Sequence, residues 1–222
     1  MIKQLQAALI FLFVTTVVQA QQSRPLGQRV GLQLSSAAPI GEFEKIRFED
    51  DYPPFANSGF QLSVNYARDI KPGIALGGTA GWRRNPFYMD RFVAEDDALV
   101  RSKEATAWQT AFALADAYLQ MRGSSFFGYV KGSLGGAFNE SPRVHIETVY
   151  GPVTRTSDSA FSLAGGLAFG LGVEAQRIGL GIEIGSLLTK PSLEVSDAKD
   201  VSMRYRQTMR TINASFGVYY SL

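Results

Sequence analysis

The chain contains one histidine, His145, and this limits the catalytic chemistry that its side chains could support. Glu147 follows two residues later, and a histidine beside a carboxylate is one arrangement that can activate a nucleophile. Both residues lie between two predicted strands, in a long connection where charged side chains are usually solvated. We therefore predict that the protein is not an enzyme, and rank a lipid-modifying enzyme third among the candidate functions.

The residue types that usually bind metals and cofactors are scarce or unsuitably placed. Cysteine is absent, which excludes disulfides and thiolate metal sites. The acidic runs at 49–51 and 95–97 could bind Ca²⁺ weakly, but acidic residues in loops are usually just solvated. The glycine-rich run at 165–172 lies in a predicted strand with no helix after it, so it lacks the geometry that cradles a phosphate. We predict no metal and no cofactor, and expect these glycines to let neighbouring aromatic rings pack.

Two charged residues of opposite sign, Lys131 and Glu183, lie near the middle of predicted strands. In each strand the charged residue belongs to the face that otherwise carries small or polar side chains. An unpaired charge on a buried face would be costly, so we expect these two residues to form an ion pair.

Strands must position these residues, because an alternation with a period of two dominates the chain after residue 27. In TINASFGVYYSL, at 211–222, one alternating set is small or polar. The other set is apolar and consists of Ile212, Ala214, Phe216, Val218, Tyr220 and Leu222. The same pattern predicts eight strands, at 30–35, 60–66, 74–82, 107–121, 126–138, 161–173, 178–185 and 211–222.

The segment at 107–121 is the most ambiguous of the eight, because its alanines and leucines would suit a helix about as well. As a strand, it would present on its outer face Trp108, Thr110, Phe112 and Leu114. That face then reaches Asp116, which leaves two explanations open. Either Asp116 lies near a membrane interface with Tyr118 below it, or a β-bulge reverses the alternation so that Leu119 and Met121 face outward.

Long and short connections alternate along the chain. The long ones are 39–57, 84–105, 139–158 and 189–206, and the short ones are 68–73, 122–125 and 174–176. In an up-and-down meander, successive connections lie at opposite ends, so the four long loops share one end. This arrangement predicts an all-β, eight-stranded antiparallel transmembrane β-barrel, in which the last strand pairs with the first and removes the exposed edges.

A soluble barrel would share the same period, so the composition of the strands decides between water and membrane. The inner faces carry small groups that suit the narrow lumen of an eight-stranded barrel, and charges collect in connections such as EFEKIRFEDD at 42–51. On the apolar face, aromatic residues occur at the strand ends, as in the two girdles of a membrane barrel. The predicted girdles are Trp82, Trp108, Phe138 and Phe161 at the long-loop end, and Tyr66, Phe126 and Tyr220 at the short-turn end.

The first 20 residues are typical of a secretory signal peptide, with Lys3, an apolar run at 7–18 and a cleavage pattern between Ala20 and Gln21. A membrane-anchor helix is less favoured, because a helical span needs roughly 20 apolar residues. The predicted organisation is therefore a signal peptide at 1–20 and one barrel domain at 21–222. The net charge of +2, without a long run of one sign, does not indicate a nucleic-acid partner.

The chain resembles the small outer-membrane β-barrel proteins of Gram-negative bacteria, in the porin-family, outer-membrane-protein-A-like group of Bacteroidota type. The resemblance covers about residues 27–222 and is most specific in GLQLSSAAPIGEF at 31–43 and in the last strand. Family members usually end on an aromatic residue, whereas this chain ends on Leu222, two residues after Tyr220. The resemblance implies an outer-membrane location, contact with membrane lipid and lipopolysaccharide, and a barrel-insertion machinery that reads the last strand. In this chain the residues to be read are Phe216, Val218, Tyr220 and Leu222.

The leading predicted function is a structural or surface-binding role in the envelope, with any extracellular ligand bound through the four long loops. A narrow channel for small solutes or ions is the alternative. For the first function, Lys131 and Glu183 would form a plug that rigidifies the barrel. For the second, they would form a gate, as is proposed for similar barrels. We expect a monomer.

Overall fold

The computed structural model describes residues 27–47, 53–94, 97–123, 125–196 and 202–222. The predicted signal peptide, with its cleavage site at Ala20 and Gln21, lies outside these ranges, and so do the acidic run at 49–51 and the residues Glu95 and Asp96 of the second run. In the described ranges, no helix is long and apolar enough to cross a membrane.

The described residues form strands almost throughout. In chain order these are β1 (Gln28–Ile40), β2 (Gly59–Lys71), β3 (Ile74–Asn85), β4 (Val100–Ala105), β5 (Trp108–Arg122), β6 (Phe126–Glu140), β7 (Val144–Thr148), β8 (Gly151–Arg155), β9 (Ser159–Ala175), β10 (Ile178–Thr189), β11 (Ser192–Ser196), β12 (Ser202–Arg206) and β13 (Met209–Ser221). A single 3-10 turn at Gly41–Glu44 and a one-turn α-helix at Met89–Phe92 are the helical elements of these ranges.

Eight of the strands close into an antiparallel barrel, in the order β1-β13-β10-β9-β6-β5-β3-β2. Each barrel strand pairs with its neighbours along the chain, and β13 pairs with β1, with Val30 opposite Tyr220 and Leu34 opposite Phe216. The predicted fold class, an eight-stranded up-and-down barrel, is therefore confirmed, and its two terminal strands leave no open edge.

The barrel wall separates two kinds of side chain. Gln33 points into the lumen and is 3% exposed, whereas Leu163 points outward and is 76% exposed. The outward positions of the strands carry large apolar groups, among them Leu32, Leu34, Val64, Leu167, Ile182 and Val218. An apolar outer surface of this extent has no favourable contact with water, and it is the arrangement that strands take when lipid is the solvent.

The short turns are tighter than the sequence predicts. Pro72 and Gly73 alone connect β2 to β3, and Gly73 has a φ of 78°. A proline followed by a residue with positive φ is the combination that a tight turn requires, and glycine takes that φ without steric cost. The predicted connection at 68–73 was too long because the strand pairing continues past Arg68 to Lys71, through a register shift after Asp69.

The predicted faces of β5 were wrong. Trp108, Thr110, Phe112 and Asp116 point into the lumen and are buried, and Ala113 is one of the alanines that face outward. The ladders to β3 and β6 show no register shift, so no bulge reverses the alternation, and Leu119 faces outward because the whole strand has the opposite phase. The polar groups of this strand explain its orientation, because Asp116 would lack hydrogen-bond partners on the lipid side.

The long connections carry secondary structure of their own. β4, β7 and β8 form a three-stranded sheet, and β11 pairs with β12 as a hairpin. One face of the sheet packs Val144 and Ile146 against Phe55 and Phe87, which come from the first and second long loops. The long-loop end is therefore a folded layer with its own small hydrophobic core, above the barrel.

Candidate functional site

The structure brings Lys131 and Glu183 together in the lumen. The ammonium group of Lys131 lies 2.9 Å from Oε2 and 3.1 Å from Oε1 of Glu183, and both side chains are buried. The Tyr129 hydroxyl donates to Glu183 Oε2 at 2.6 Å, and the Gln33 amide donates to the Tyr219 hydroxyl at 2.7 Å. A buried ion pair needs such additional hydrogen bonds, because the Coulomb attraction alone does not repay the desolvation of two charges.

A second carboxylate, Asp116, lies in the same part of the lumen. It accepts hydrogen bonds from the hydroxyls of Thr79, Ser133 and Tyr118. Three donors around one carboxylate compensate for most of the solvation that it loses on burial. Asp116 therefore belongs to the polar network of the lumen and not to a membrane interface.

A third group, Arg29, is enclosed by aromatic rings near the short-turn end. Its guanidinium carbon lies 5.4 Å from the ring centroid of Tyr118, 5.7 Å from that of Phe127 and 5.6 Å from that of Tyr129. Arg29 is 5% exposed, and its two terminal nitrogens have no hydrogen-bond partner among the described residues. The faces of the rings take the place of a counter-ion, since the quadrupole of each ring attracts a cation.

These rings pack against one another and fill the lumen at this level. We call the set Arg29, Tyr118, Phe127, Tyr129 and Tyr219 the short-turn plug. Centroid distances are 5.5 Å between Tyr118 and Tyr129 and 5.5 Å between Phe127 and Tyr219, in edge-to-face geometry. The rings fit because β9 has glycines beside them. A Cβ at Gly170 would lie 2.3 Å from a ring carbon of Tyr129, and a Cβ at Gly172 would lie 2.3 Å from a ring carbon of Phe127. The expectation that the glycine-rich run lets aromatic rings pack is therefore confirmed at these two positions.

The opposite end of the lumen is closed by a different set of residues, which we call the long-loop cap: Phe43, Ala56, Trp108, Leu193 and Met209. The rings of Phe43 and Trp108 meet edge to face at a centroid distance of 5.7 Å. The indole N–H of Trp108 donates to the Pro54 carbonyl at 2.9 Å, which ties the first long loop across the mouth. The cap therefore excludes solvent from the long-loop end.

Arg83 lies directly beneath the cap. Its two terminal nitrogens donate to the hydroxyls of Thr211 and Thr110, each at 3.0 Å, and its guanidinium lies 5.6 Å from the ring centroid of Phe43. No carboxylate of the described ranges forms an ion pair with it. Within the described part of the lumen, a cavity of about 40 Å³ is lined by polar residues such as Gln61, Lys131 and Asn213 and by apolar ones such as Phe112 and Leu187. A cavity of this size holds one or a few water molecules and no larger solute.

The other predicted residues are placed as follows. Trp82 and Phe138 face outward near the long loops, and Phe126 and Tyr220 face outward near the short turns. Phe161 and Tyr66 are likewise exposed on the outer face, as are Phe216, Val218 and Leu222 of the last strand. Trp108 is the exception and was wrongly assigned to a girdle, because it is 1% exposed and belongs to the cap.

His145 does not form a catalytic arrangement in the structure. It lies on β7, and its Nδ1 is 2.9 Å from the Thr154 hydroxyl, on the outer face of the loop sheet. In the part of the chain that the structure describes, no group of three or more metal-ligating side chains could hold an ion.

Part of the lumen network was not predicted from the sequence. Arg29 precedes the predicted first strand by one residue, yet it shares the phase of Gly31 and Gln33 and could have been found by extending the alternation backward. Asp116, Tyr118 and Thr110 were missed because the phase of β5 was reversed. Arg83 was missed because the third predicted strand ended at Trp82, whereas β3 continues to Asn85.

No protein-family model matches the chain, and no curated protein matches it in sequence. Solved structures do match. The major outer membrane protein from Thermus thermophilus superposes with a TM-score of 0.51 at 10% identity, over 88% of this chain and 99% of that one. OprG from Pseudomonas aeruginosa gives a TM-score of 0.50 at 11% identity, over 90% and 98%. Neisserial surface protein A gives 0.48 at 12% identity, over 87% and 96%.

The likeness to the Thermus protein and to OprG shows the fold. The chain has the fold of the small outer-membrane β-barrel proteins.

Proposed function

We propose that this protein is an integral outer-membrane barrel whose lumen is closed, and that it acts in the envelope as a structural or surface-binding protein through its long-loop end. The observation that carries the proposal is the double closure of the lumen. The short-turn plug and the long-loop cap are two clusters of buried side chains inside the barrel, and a cavity of about 40 Å³ lies in the described part of the lumen. A barrel that is filled in this way does not offer a path to solutes.

The apolar outer wall and the fold together support a membrane location. The short turns and the N-terminus would face the periplasm and the folded loop layer would face outward. The signal peptide at 1–20 and reading of the last strand by the insertion machinery belong to the same proposal. The protein would function as a monomer. It would also act without catalysis, since His145 is hydrogen-bonded to Thr154 on the surface of the loop sheet.

The loop layer also supports a binding role. The β7–β8 hairpin forms one side of the three-stranded sheet, and Tyr150 in its turn is 87% exposed. A folded layer presents such residues in a fixed arrangement, which lowers the entropy lost when a ligand binds.

Two measurements test the proposal. Outer-membrane fractions should contain a form that migrates faster on gels before heating than after it, and the purified protein in planar bilayers should give no conductance above that of protein-free bilayers. Recovery of the protein in a soluble fraction would contradict the membrane location, whereas stable single-channel openings would contradict the closed lumen alone.

A narrow ion channel is the second candidate, because the Lys131–Glu183 pair is buried in the lumen and could act as a gate for small ions. The variant Glu183→Ala in planar bilayers decides between the two functions. A gate predicts a conductance that rises over wild type, whereas a plug predicts no change as long as the aromatic rings stay in place.

A further inference from the structure

The last hairpin of the chain continues beyond the barrel. The last pair of the β10–β13 ladder is Thr189 with Met209, and the first pair of the β11–β12 ladder is Ser192 with Arg206, in the same register. In the short gap between the two ladders, the N–H of Gln207 donates a backbone hydrogen bond of 3.1 Å across the hairpin. β11 and β12 are therefore extensions of β10 and β13 that rise above the barrel rim.

The strand on the other side of β13 does not continue in this way. β1 ends at Ile40, which lies opposite Arg210 of β13. Gly41 then takes a φ of 65°, which glycine adopts without steric cost, and the turn that it begins carries Phe43 into the long-loop cap. β12 therefore lies beside a strand position that β1 has left.

The backbone groups of β12 and β13 alternate in direction, as in any antiparallel ladder. Near the end of β13, the N–H of Ser221 donates toward the β10 side at 2.8 Å, and that of Leu222 donates to β1 at 2.9 Å. Even-numbered residues therefore face the β1 side, and Gln207 agrees, because its N–H donates toward β10 and β11. Arg204 and Arg206 thus direct their N–H and C=O groups toward the position that β1 has left. Among the described residues, none forms a hydrogen bond with these four groups.

The other edges of the loop layer are blocked. β4 has a register shift after Val100, and β8 contains Pro152, which has no N–H to offer a partner strand. On β11, the N–H of Glu194 donates to the carboxylate of Asp158 at 2.6 Å. The edge of β12 at 203–206, which we call the β12 edge, has no such block within the described ranges and is guarded by charge alone.

The β12 edge has a cationic face and an apolar face. Arg204 and Arg206 share one face, whereas Tyr205 shares the other with Met203, which is 56% exposed. The one ion pair that the described ranges give to either arginine joins Arg204 to Glu194 at 3.7 Å, and exposed pairs of this kind contribute little. A strand added here would therefore gain from carboxylates opposite the arginines and from apolar groups at the positions between them.

We propose that the β12 edge binds, by β-strand addition, an extended segment of another protein in which acidic and apolar residues alternate. A second copy of this chain does not fit the edge. Antiparallel pairing of two β12 edges would place arginine opposite arginine, and like charges in that position are destabilising. The inference rests on the proposed surface-binding function and names the class of partner for it.

The experiment uses the full mature chain, refolded into detergent micelles, and a short fluorescein-labelled peptide in which glutamate and valine alternate. Fluorescence anisotropy at low salt measures the binding. We expect wild type to bind this peptide, and to bind a lysine–valine peptide about tenfold less well because the arginines repel it. N-methylation of the peptide at the residues that face β12 should also weaken binding about tenfold, since it removes backbone hydrogen bonds and keeps the side chains.

Variants of the chain separate charge from backbone pairing. The double variant Arg204→Gln with Arg206→Gln should weaken binding about tenfold and flatten its dependence on salt. Arg206→Pro and Arg206→Gln both remove one charge, but only proline removes the N–H that faces the partner, so Arg206→Pro should bind about fivefold less well than Arg206→Gln. Arg101→Gln with Arg143→Gln, which removes two exposed arginines elsewhere in the loop layer, is the matched control and should bind as wild type does.

Hydrogen exchange of the amides, followed by nuclear magnetic resonance, tests the edge itself. The amides of Arg204 and Arg206 should exchange fast in the free protein and slowly with peptide, whereas that of Gln207 should be protected in both states. Protection of the two arginine amides without peptide would show that the edge is already occupied and would overturn the site. Equal binding by all variants, equal binding of the N-methylated peptide, or no binding by a folded wild type would overturn it as well. Circular dichroism and heat-modifiable migration report folding separately, and the membrane location and the closed lumen are tested by fractionation and conductance, so failure of the site is distinguishable from theirs.

Discussion

The two ends of the lumen are closed by different parts of the chain. The five residues of the short-turn plug all come from barrel strands, where ladders on both sides hold each backbone in place. The long-loop cap takes Phe43 from the 3-10 turn and Leu193 from the β11–β12 hairpin, neither of which is part of the barrel. The loop residues of the cap can therefore move without breaking a barrel ladder. The backbones of the plug residues cannot, so the plug is the more rigid of the two closures.

The charges at the two ends also differ. Near the plug, Lys131 is paired with Glu183, and the tyrosines link Arg29 to the carboxylates, because Tyr118 donates to Asp116 and Tyr129 donates to Glu183. Near the cap, Arg83 has only neutral partners among the described residues. Removing Glu183 near the plug leaves the buried Lys131 without its counter-ion, whereas removing Arg83 near the cap leaves only neutral hydroxyls behind.

Glu183→Ala should give the largest loss of stability. It leaves the Lys131 ammonium buried without a counter-ion and removes the carboxylate to which Tyr129 donates. Breaking a buried pair in this way costs about 3–5 kcal/mol. Urea unfolding of the protein in lipid vesicles, followed by circular dichroism, measures the loss. Glu104→Ala, which removes an exposed carboxylate from the loop sheet, is the matched control and should change the free energy of unfolding by less than about 0.5 kcal/mol.

A second variant tests whether charge is the cause. Lys131→Met combined with Glu183→Leu removes both charges and keeps similar volumes, so it should recover most of the stability that Glu183→Ala loses. If the double variant is as unstable as the single one, packing around Glu183 and not the unpaired charge would explain the loss.

Arg83→Met should cost less, about 1–2 kcal/mol in the same unfolding experiment. It removes two hydrogen bonds and the contact with Phe43, but it leaves no charge behind and methionine fills much of the arginine's volume. Thr110 and Thr211 keep neutral hydroxyls, and Thr110 still donates to Asn139. A loss equal to that of Glu183→Ala would mean that burying Arg83 among neutral partners matters as much as the ion pair near the plug, which would contradict the difference between the two ends.

How much of this could be predicted from the sequence depends on what fixes each feature. The number and order of the barrel strands and most of their faces follow from the alternation, because lipid outside and a crowded lumen inside demand opposite residue types at every second position. The pairing of Lys131 with Glu183 follows from the cost of an unpaired buried charge. On β5 the same logic failed, because Trp108 and Phe112 are apolar and yet face inward, while the outer face carries alanines such as Ala113. The informative residue was Asp116. The free energy needed to place its carboxylate in lipid exceeds the free energy gained by exposing two aromatic rings to lipid.

The structure of the loops could not be derived from the alternation at all. The loop sheet pairs β4 of the second long loop with β7 of the third, and Phe55 of the first long loop packs on it. The core of the loop layer therefore consists of contacts between segments that are distant in sequence. Phe43 closes the lumen for the same reason, since nothing in GEFE at 41–44 marks it as a lid. Long-range packing of this kind leaves no local period to read.

Phe43→Ala should have the smallest effect on global stability and a clear local one. Because Phe43 comes from a loop, its loss should loosen the cap while the barrel ladders persist, so the free energy of unfolding should fall by less than about 1 kcal/mol.

The chain has two tryptophans, and in a Trp82→Phe background the emission reports Trp108 alone. Opening the cap should shift that emission to longer wavelength and raise its quenching by acrylamide in water. Conductance should stay at background, because the short-turn plug still fills the lumen below. Phe138→Ala, which removes a ring from the outer wall at the same end, is the control and should leave the Trp108 emission unchanged. Conductance in Phe43→Ala would show that the cap, and not the plug, is the barrier to passage.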